Sequence, residues 1–157
     1  FEESLRTPLV VRWPGVTDAG SSSDHIVSNL DFAQTFLDMA GVDDTDEMQG
    51  QSLVPLLRGE QPANWRDEFY YHYYELGTHN VAAHYGIVTD QYKLVHYYRR
   101  LNEDREPVDI DQWDLMDRVK DPLEMTSYID DPAYADVRED LLDRLLALQD
   151  RFQVDDE

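Results

Sequence analysis

Hydrophobic residues follow a strand-like pattern in the middle of this chain. From Asp67 to Tyr98, aromatic and β-branched residues lie close together among polar ones, and this density is typical of paired strands. A turn at Asp90-Gln91 separates the last two of these runs, and a further run follows a charged loop at Leu101–Asp111. The pattern predicts a sheet with strands at Phe69–Tyr74, Tyr85–Thr89, Tyr92–Tyr98 and Gln112–Met116.

The last part of the chain has the spacing of an amphipathic helix. Apolar residues recur there every three or four positions, with acids and arginines between them. Asp131 followed by Pro132 is a typical helix start, because the first is a good cap and the second is favoured at the first helical position. The spacing predicts a helix from about Pro132 to Phe152.

A shorter helix is predicted over Asp31–Ala40 in the first half of the chain. Ser28 or Asn29 is expected to cap its start. Gly41 is expected to end it in a left-handed conformation, which glycine adopts without strain. The apolar stripe of this helix comprises Leu30, Phe32, Phe36, Leu37 and Ala40.

The chain enters an apolar run, Leu9–Trp13, soon after its first residue. Continuous apolar runs are typical of strands covered on both faces, as in an α/β sheet, and His25–Val27 is predicted as a second short strand. Because nothing precedes Leu9–Trp13 to pair with it, the run indicates the C-terminal part of a longer protein. A boundary is predicted at the linker-like stretch Gln61–Asn64, after a helical turn at Ser52–Leu57.

The net charge of the chain limits the classes of partner that it can bind. The chain has 34 acidic and 13 basic residues, for a formal net charge of −21. Such a surface repels nucleic acid and anionic membranes, so neither is expected as a partner. Self-repulsion is screened at molar salt, where the Debye length falls to about 3 Å. The Asp-rich, Lys-poor composition therefore favours a salt-loving source over an acidic mesophilic one.

Several kinds of site are excluded or disfavoured. Without cysteine, the chain has no disulfide, zinc–thiolate site or thiol nucleophile. No apolar stretch approaches the roughly 20 residues of a membrane span, and no glycine-rich phosphate loop or Gly-x-Ser-x-Gly elbow is present. A calcium loop needs a glycine that the two acidic stretches lack. Solvated loops are therefore favoured for Asp43–Glu47 and for the set Asp109, Asp111, Asp114 and Asp117.

The histidines are the remaining candidates for chemistry. His25 and His96 stand alone in strand-like surroundings, which favours structural roles. His79 and His84 flank the predicted loop Glu75–His84, and loops held by strands commonly carry binding groups. These two residues are therefore the candidate substrate-binding residues of the chain.

Six segments, taken together, resemble a known family. The segments are FEESLRTPLVVRWPGV, HIVSNLDFAQTFLDMAGV, MQGQSLVPLLRGE, WRDEFYYHYYE, HYGIVTDQYKLVHYY and DLMDRVKDPLEM. They closely resemble the C-terminal third of type I sulfatases, in the family's order and spacing, over residues 1 to about 135.

The resemblance implies an alkaline-phosphatase-like α/β fold, of which this chain is a fragment. Residues 1–64 would be the C-terminal end of the large sulfatase domain. Residues 65–157 would be the C-terminal α+β subdomain, with a four-stranded antiparallel sheet and a packed C-terminal helix. This agrees with the elements predicted from the sequence pattern.

The resemblance also implies where the catalytic groups are. Type I sulfatases use a formylglycine, made in a Cys/Ser-x-Pro-x-Arg motif, and a Ca²⁺ (or Mg²⁺) ion. That motif is absent here, and the family's metal ligands precede the stretch matched by Glu2–Pro8. No catalytic residue and no metal ligand is therefore assigned to this chain, which is expected to be inactive alone. Its expected partners are a sulfated small-molecule or carbohydrate substrate and the missing N-terminal part of the same chain.

In carbohydrate sulfatases of this type, the subdomain can offer a histidine to the sugar just before a His-Tyr-Gly pattern. His84 matches that pattern, and His79 is the second candidate. A neutral imidazole suits a hydroxyl partner because it both donates and accepts. Two alternatives stay open: a phosphodiesterase or phosphonate hydrolase of the same superfamily, and a non-catalytic acidic binding module.

Overall fold

The computed structural model describes residues 2–42, 48–76 and 81–154. The chain divides into two compact units, which we call the sheet unit (Phe1–Leu5 with Glu68–Glu157) and the N-terminal unit (Arg6–Asp67). The boundary predicted from sequence at Gln61–Asn64, and the domain assignments on either side of it, remain predictions. The helices are α1 (Glu2–Leu5), α2 (Asp31–Met39), α3 (Val54–Leu57) and α4 (Ala135–Arg151), the last preceded by a 3₁₀ turn at Pro132–Tyr134.

The sheet unit contains the predicted antiparallel sheet, with its strands in chain order. The strands are β1 (Glu68–Tyr73), β2 (Ala83–Thr89), β3 (Tyr92–Leu101) and β4 (Pro107–Asp117). All three neighbouring pairs are antiparallel, so the sheet is a simple meander. The prediction of a four-stranded antiparallel sheet with a C-terminal helix is confirmed.

Helix α4 covers one face of the sheet, which we call the helix face. The core between them consists of buried side chains from β2, β3, β4 and α4, namely Ile87, Leu94, Leu115, Leu141, Leu145 and Leu148. The predicted start of this helix is confirmed, since Asp131 Oδ1 accepts a hydrogen bond of 2.9 Å from the Ala133 N–H.

The other face of the sheet, the second face, carries a closed ring of four charges. Lys93 forms ion pairs with Glu124 and with Glu2, whose Oε2 lies 3.7 Å from Nζ. Arg118 also pairs with Glu2, and its Nε lies 3.9 Å from Glu124 Oε1. Lys93 and Glu124 are buried. Because a buried charge is costly unless paired, the alternation of sign around the ring is what makes this burial tolerable.

In the N-terminal unit, α2 confirms the helix predicted over Asp31–Ala40, and Gly41 ends it with φ +67°. Its cap and its buried face differ from the prediction. Neither Ser28 nor Asn29 caps it through a side chain. The buried side chains of this helix are Asp31, Gln34 and Thr35, whereas Leu30, Phe32 and Phe36 of the predicted apolar stripe are exposed. The Asp31 carboxylate lies inward because it binds several donors of the same unit.

Two predicted strands of the N-terminal unit were wrong. Leu9–Trp13 and His25–Val27 have no strand structure, and Val10 is 88% exposed. A strand needs a neighbour for its backbone groups. The strands in the described part of the chain all belong to the sheet unit.

A membrane-spanning segment was not found: within the described residues, no helix has the length and apolar character needed to cross a bilayer.

Candidate substrate-binding site

His84 lies on β2, not in the loop before it, which corrects the predicted loop Glu75–His84. The strand begins at Ala83 because His84 pairs with Tyr73 of β1 on one side and with Tyr97 of β3 on the other. The sheet ladder therefore reaches two residues further than the pattern of apolar residues indicated. His84 is half-buried, and alternation along β2 places its side chain on the second face of the sheet.

Three tyrosine rings surround the His84 imidazole. The centroid of its ring lies 5.3 Å from those of Tyr73 and Tyr97 and 5.6 Å from that of Tyr71. The Tyr73 ring stacks on the imidazole at an interplanar angle of 30°, and the Tyr71 ring meets it edge-on at 72°. These contacts fix the orientation of the imidazole.

The electrostatic surroundings keep His84 neutral. Burial lowers the pKa of His84, the positive charge of Lys93 lowers it further, and the hydrogen bond to the Ala82 carbonyl opposes both. His84 Nδ1 lies 2.8 Å from that carbonyl oxygen, so Nδ1 carries the proton and donates it. Nε2 is then an acceptor, and none of the described residues forms a hydrogen bond with it.

The neighbouring tyrosines stay protonated at neutral pH. Burial raises the pKa of Tyr97 to about 12, with the Asp114 carboxylate adding to the effect. Burial also raises the pKa of Tyr71. The site around His84 is therefore a set of uncharged rings that present hydroxyl groups and one imidazole acceptor.

His79, the other predicted substrate-binding residue, lies outside the described residues. Its role remains a prediction.

The helix face carries a row of rings at the same end of the sheet. His72, Tyr85, His96 and Trp113 are direct partners across all four strands. The His72 nitrogens lie 3.0 Å from the hydroxyls of Tyr70 and Tyr98. Sequence reasoning gave His72 no role, although its alternation with Tyr71 and Tyr73 placed it on the opposite face from them.

His96 has a fully engaged imidazole, which agrees with the structural role predicted for it. Its Nδ1 lies 2.9 Å from the Tyr85 hydroxyl and its Nε2 2.9 Å from Asp111 Oδ1. The ring stacks on Trp113 with centroids 4.2 Å apart. His25 is likewise held locally, with its Nδ1 2.8 Å from Ser23 Oγ.

The acidic residues from 109 to 117 lie on β4, which corrects the prediction of a solvated loop. Asp109 pairs with Arg99, and Asp117 accepts hydrogen bonds from the backbone of Val119 and Lys120 and from the Tyr134 hydroxyl. Among the described ranges, no group of three or more His, Asp or Glu side chains could hold a metal ion.

Comparison with known proteins identifies the family. The family described as N-sulphoglucosamine sulphohydrolase, C-terminal, matches residues 1–151. An N-acetylglucosamine-6-O-sulfatase of Bacteroides thetaiotaomicron is 42% identical over 159 residues, which cover 99% of this chain and 27% of that protein.

Solved structures agree with this match. One is the structure of a protein in complex with its substrate D-glucosamine-2-N,6-O-disulfate. It matches this chain with a TM-score of 0.85 and 41% sequence identity, and the match covers 96% of this chain and 29% of that protein's chain. The phosphonate monoester hydrolase of Agrobacterium radiobacter has a TM-score of 0.67 and 26% identity, over 85% of this chain and 27% of its own. The chain thus spans less than a third of each of these relatives. The family match covers residues 1–151, and these solved structures have the alkaline-phosphatase-like fold. The chain therefore belongs to the sulfatases, in the family described as N-sulphoglucosamine sulphohydrolase, C-terminal.

Proposed function

We propose that this chain is the C-terminal part of a sulfatase that hydrolyses the sulfate ester of a sulfated carbohydrate. The observation that carries the proposal is the 42% identity to an N-acetylglucosamine-6-O-sulfatase over 99% of this chain. The similar solved structure with bound D-glucosamine-2-N,6-O-disulfate supports a sulfated amino sugar as the substrate class.

The catalytic groups are proposed to lie in the part of the protein that precedes residue 1. By resemblance to the family, a formylglycine supplies the nucleophile and a Ca²⁺ or Mg²⁺ ion stabilises the negative charge at the sulfate. The described residues of this chain offer no cluster of ligands that fits such an ion. Because the sequence lacks the Cys/Ser-x-Pro-x-Arg motif, and the family's metal ligands precede the stretch matched by Glu2–Pro8, we assign this chain no part in the bond cleavage itself.

The proposed contribution of this chain is to bind the sugar. His84 Nε2 accepts a hydrogen bond from a sugar hydroxyl, while Nδ1 donates to the Ala82 carbonyl. The tyrosine rings hold the imidazole in place, so little side-chain freedom is lost on binding. His79 is proposed as a second sugar contact, by resemblance to the family.

We also propose that residues 1–64 are the end of the large catalytic domain and that residues 65–157 are the C-terminal subdomain. Helix α2 supports this, because it buries polar residues and exposes apolar ones, including Phe36, which is 66% exposed. An exposed apolar helix face is typical of a surface that another part of the protein covers.

The test is an assay of the full-length protein. We expect it to release inorganic sulfate from N-acetylglucosamine 6-sulfate. Release of sulfate from neither this sugar nor 4-nitrophenyl sulfate would overturn the proposal.

A phosphonate hydrolase is the second candidate, because the phosphonate monoester hydrolase of Agrobacterium radiobacter shares the fold at 26% identity. This second candidate function predicts that the full-length protein hydrolyses a phenylphosphonate monoester in preference to any sulfate ester. Hydrolysis of neither class of ester would favour the non-catalytic binding module.

A further inference from the structure

We infer that Glu75 and Tyr73 are further sugar contacts, which bind hydroxyl groups of the substrate together with His84. The inference rests on the proposed function, since it concerns how the sugar part of a sulfate ester is held. It adds two side chains to which the family resemblance gives no role.

The three side chains lie next to one another at the end of β1. Tyr73 is the last residue of that strand and the direct cross-strand partner of His84. Their rings stack with centroids 5.3 Å apart. The Tyr73 hydroxyl donates to Glu75 Oε2 at 3.4 Å, which places the carboxylate at the outer end of the tyrosine ring.

The polar atoms of this group retain capacity for a ligand. Glu75 is exposed, and none of the described residues forms an ion pair with it. The distance of 3.4 Å is longer than a normal O–H···O hydrogen bond, so the Tyr73 hydroxyl holds the carboxylate only weakly. His84 contributes Nε2 as an acceptor, as described above.

The chemistry of the group fits hydroxyls better than sulfates. A carboxylate and a neutral imidazole nitrogen both accept, and sugar hydroxyls are donors that match them. Hydrogen bonds to an ionised carboxylate are roughly twice as strong as neutral ones. A sulfate group has only acceptor oxygens and a negative charge, which Glu75 repels. Burial and the adjacent Glu75 carboxylate raise the pKa of Tyr73, so its hydroxyl stays protonated. The single proton is donated to Glu75, and the hydroxyl oxygen can accept a hydrogen bond from a sugar hydroxyl.

The test compares two substrates in the full-length protein. N-acetylglucosamine 6-sulfate carries a sugar, whereas 4-nitrophenyl sulfate carries the same ester without one. We expect Glu75→Gln to raise KM for the sugar sulfate about three- to tenfold with little change in kcat, the effect of weakening a hydrogen bond to a charged group. Tyr73→Phe, which removes only the hydroxyl, should act in the same direction. Neither variant should change kcat/KM for the aryl sulfate by more than about twofold.

Two matched controls separate this role from a structural one. Glu103→Gln makes the same change at another exposed glutamate, in the turn between β3 and β4. Tyr98→Phe removes a hydroxyl at the same end of the sheet but on the helix face, where it lies 3.0 Å from His72 Nε2. Both controls should leave KM for the sugar sulfate unchanged.

The outcomes distinguish this inference from the proposed function. An unchanged KM in Glu75→Gln, alongside a loss of activity in His84→Ala, would overturn the inference and leave the proposed function standing. Equal losses on the sugar and aryl sulfates would also overturn it, because an effect on a substrate without a sugar cannot come from sugar binding. A wild-type protein that cleaves neither sulfate ester would refute both.

Discussion

Arg66 binds the buried carboxylate of Asp31 with both ends of its guanidinium group. Nη1 lies 2.8 Å from Oδ2 and Nη2 lies 2.5 Å from Oδ1. The same carboxylate accepts the backbone N–H groups of Ser28 and Gln51, each at 2.8 Å, and Asp31 is 0% exposed. One side chain thus joins the start of α2 to two later segments of the N-terminal unit.

We predict that Arg66→Met destabilises the protein by about 3–5 kcal/mol, because it leaves the Asp31 charge buried without its cation. Urea unfolding of the variant and the wild type measures the difference. Arg58→Met is the control, since Arg58 is exposed in the same unit, and it should cost less than about 0.5 kcal/mol. A loss in Arg66→Met no larger than in the control would contradict the prediction.

The elements that could be predicted from the sequence are those set by local patterns. The strands from β1 to β3 follow the density of aromatic and β-branched residues, and α4 follows its apolar spacing. The start of β4 was missed because Asp109 and Asp111 alternate with uncharged residues there, on an edge strand, where charged side chains remain in water. Asp109, for example, projects from β4 and is exposed while it pairs with Arg99.

The features that could not be predicted depend on residues far apart in the chain. The buried face of α2 is decided by the contact between Asp31 and Arg66, which lie 35 positions apart. The position of His84 on β2 depends on strand register. The three tyrosines around it come from two other strands, so no spacing within β2 could reveal them.

A second prediction concerns the charge ring on the second face. Lys93→Met should destabilise the protein by about 3–5 kcal/mol, because Glu124 is buried and loses its closest cation. The double variant Lys93→Met with Glu124→Leu should recover part of that loss, since no uncompensated charge is left at that position. Chemical unfolding of both variants gives the coupling energy. A double variant as unstable as the sum of the two single ones would show that the pair is not coupled.

The pH dependence of stability should reflect Asp117. Burial alone would raise its pKa, but hydrogen bonds from the Lys120 backbone, the Tyr134 hydroxyl and the Val119 backbone lower it below its ordinary value of 3.8. A carboxyl group with a lowered folded pKa stabilises the protein fully above the unfolded pKa and loses that effect as the pH falls through the folded pKa. The stability gap between wild type and Asp117→Asn should therefore be constant above about pH 5 and shrink below pH 3.8.

Asp130→Asn is the control for this measurement, because Asp130 is an exposed aspartate of the same unit. The stability of Asp130→Asn should follow that of the wild type across the whole pH range of the measurement. A gap between wild type and Asp117→Asn that widens on acidification would have the wrong sign and would refute the assignment.

Salt should stabilise the protein. With a net charge of −21, surface repulsion is strong at low ionic strength and is screened as salt is added. We expect Tm to rise steeply between about 0.1 and 2 M KCl. A second monovalent salt distinguishes general screening from specific ion binding, and a Tm that ignores both salts would rule out a salt-loving protein.

The proposed role of His84 gives the last prediction. In the full-length enzyme, His84→Ala should lower kcat/KM for N-acetylglucosamine 6-sulfate about ten- to a hundredfold, because a hydrogen bond worth about 1–3 kcal/mol is lost. His96→Ala is the control: its imidazole lies on the helix face between Tyr85 and Asp111, so it should lower Tm without changing kcat/KM per folded molecule. Because burial holds the pKa of His84 below its ordinary value of 6.5, KM of the wild type should stay flat down to that pH and rise only below it. If His84→Ala instead lowers Tm and leaves kcat/KM unchanged, the tyrosine rings around His84 serve only to pack it, and the residue is removed from the site.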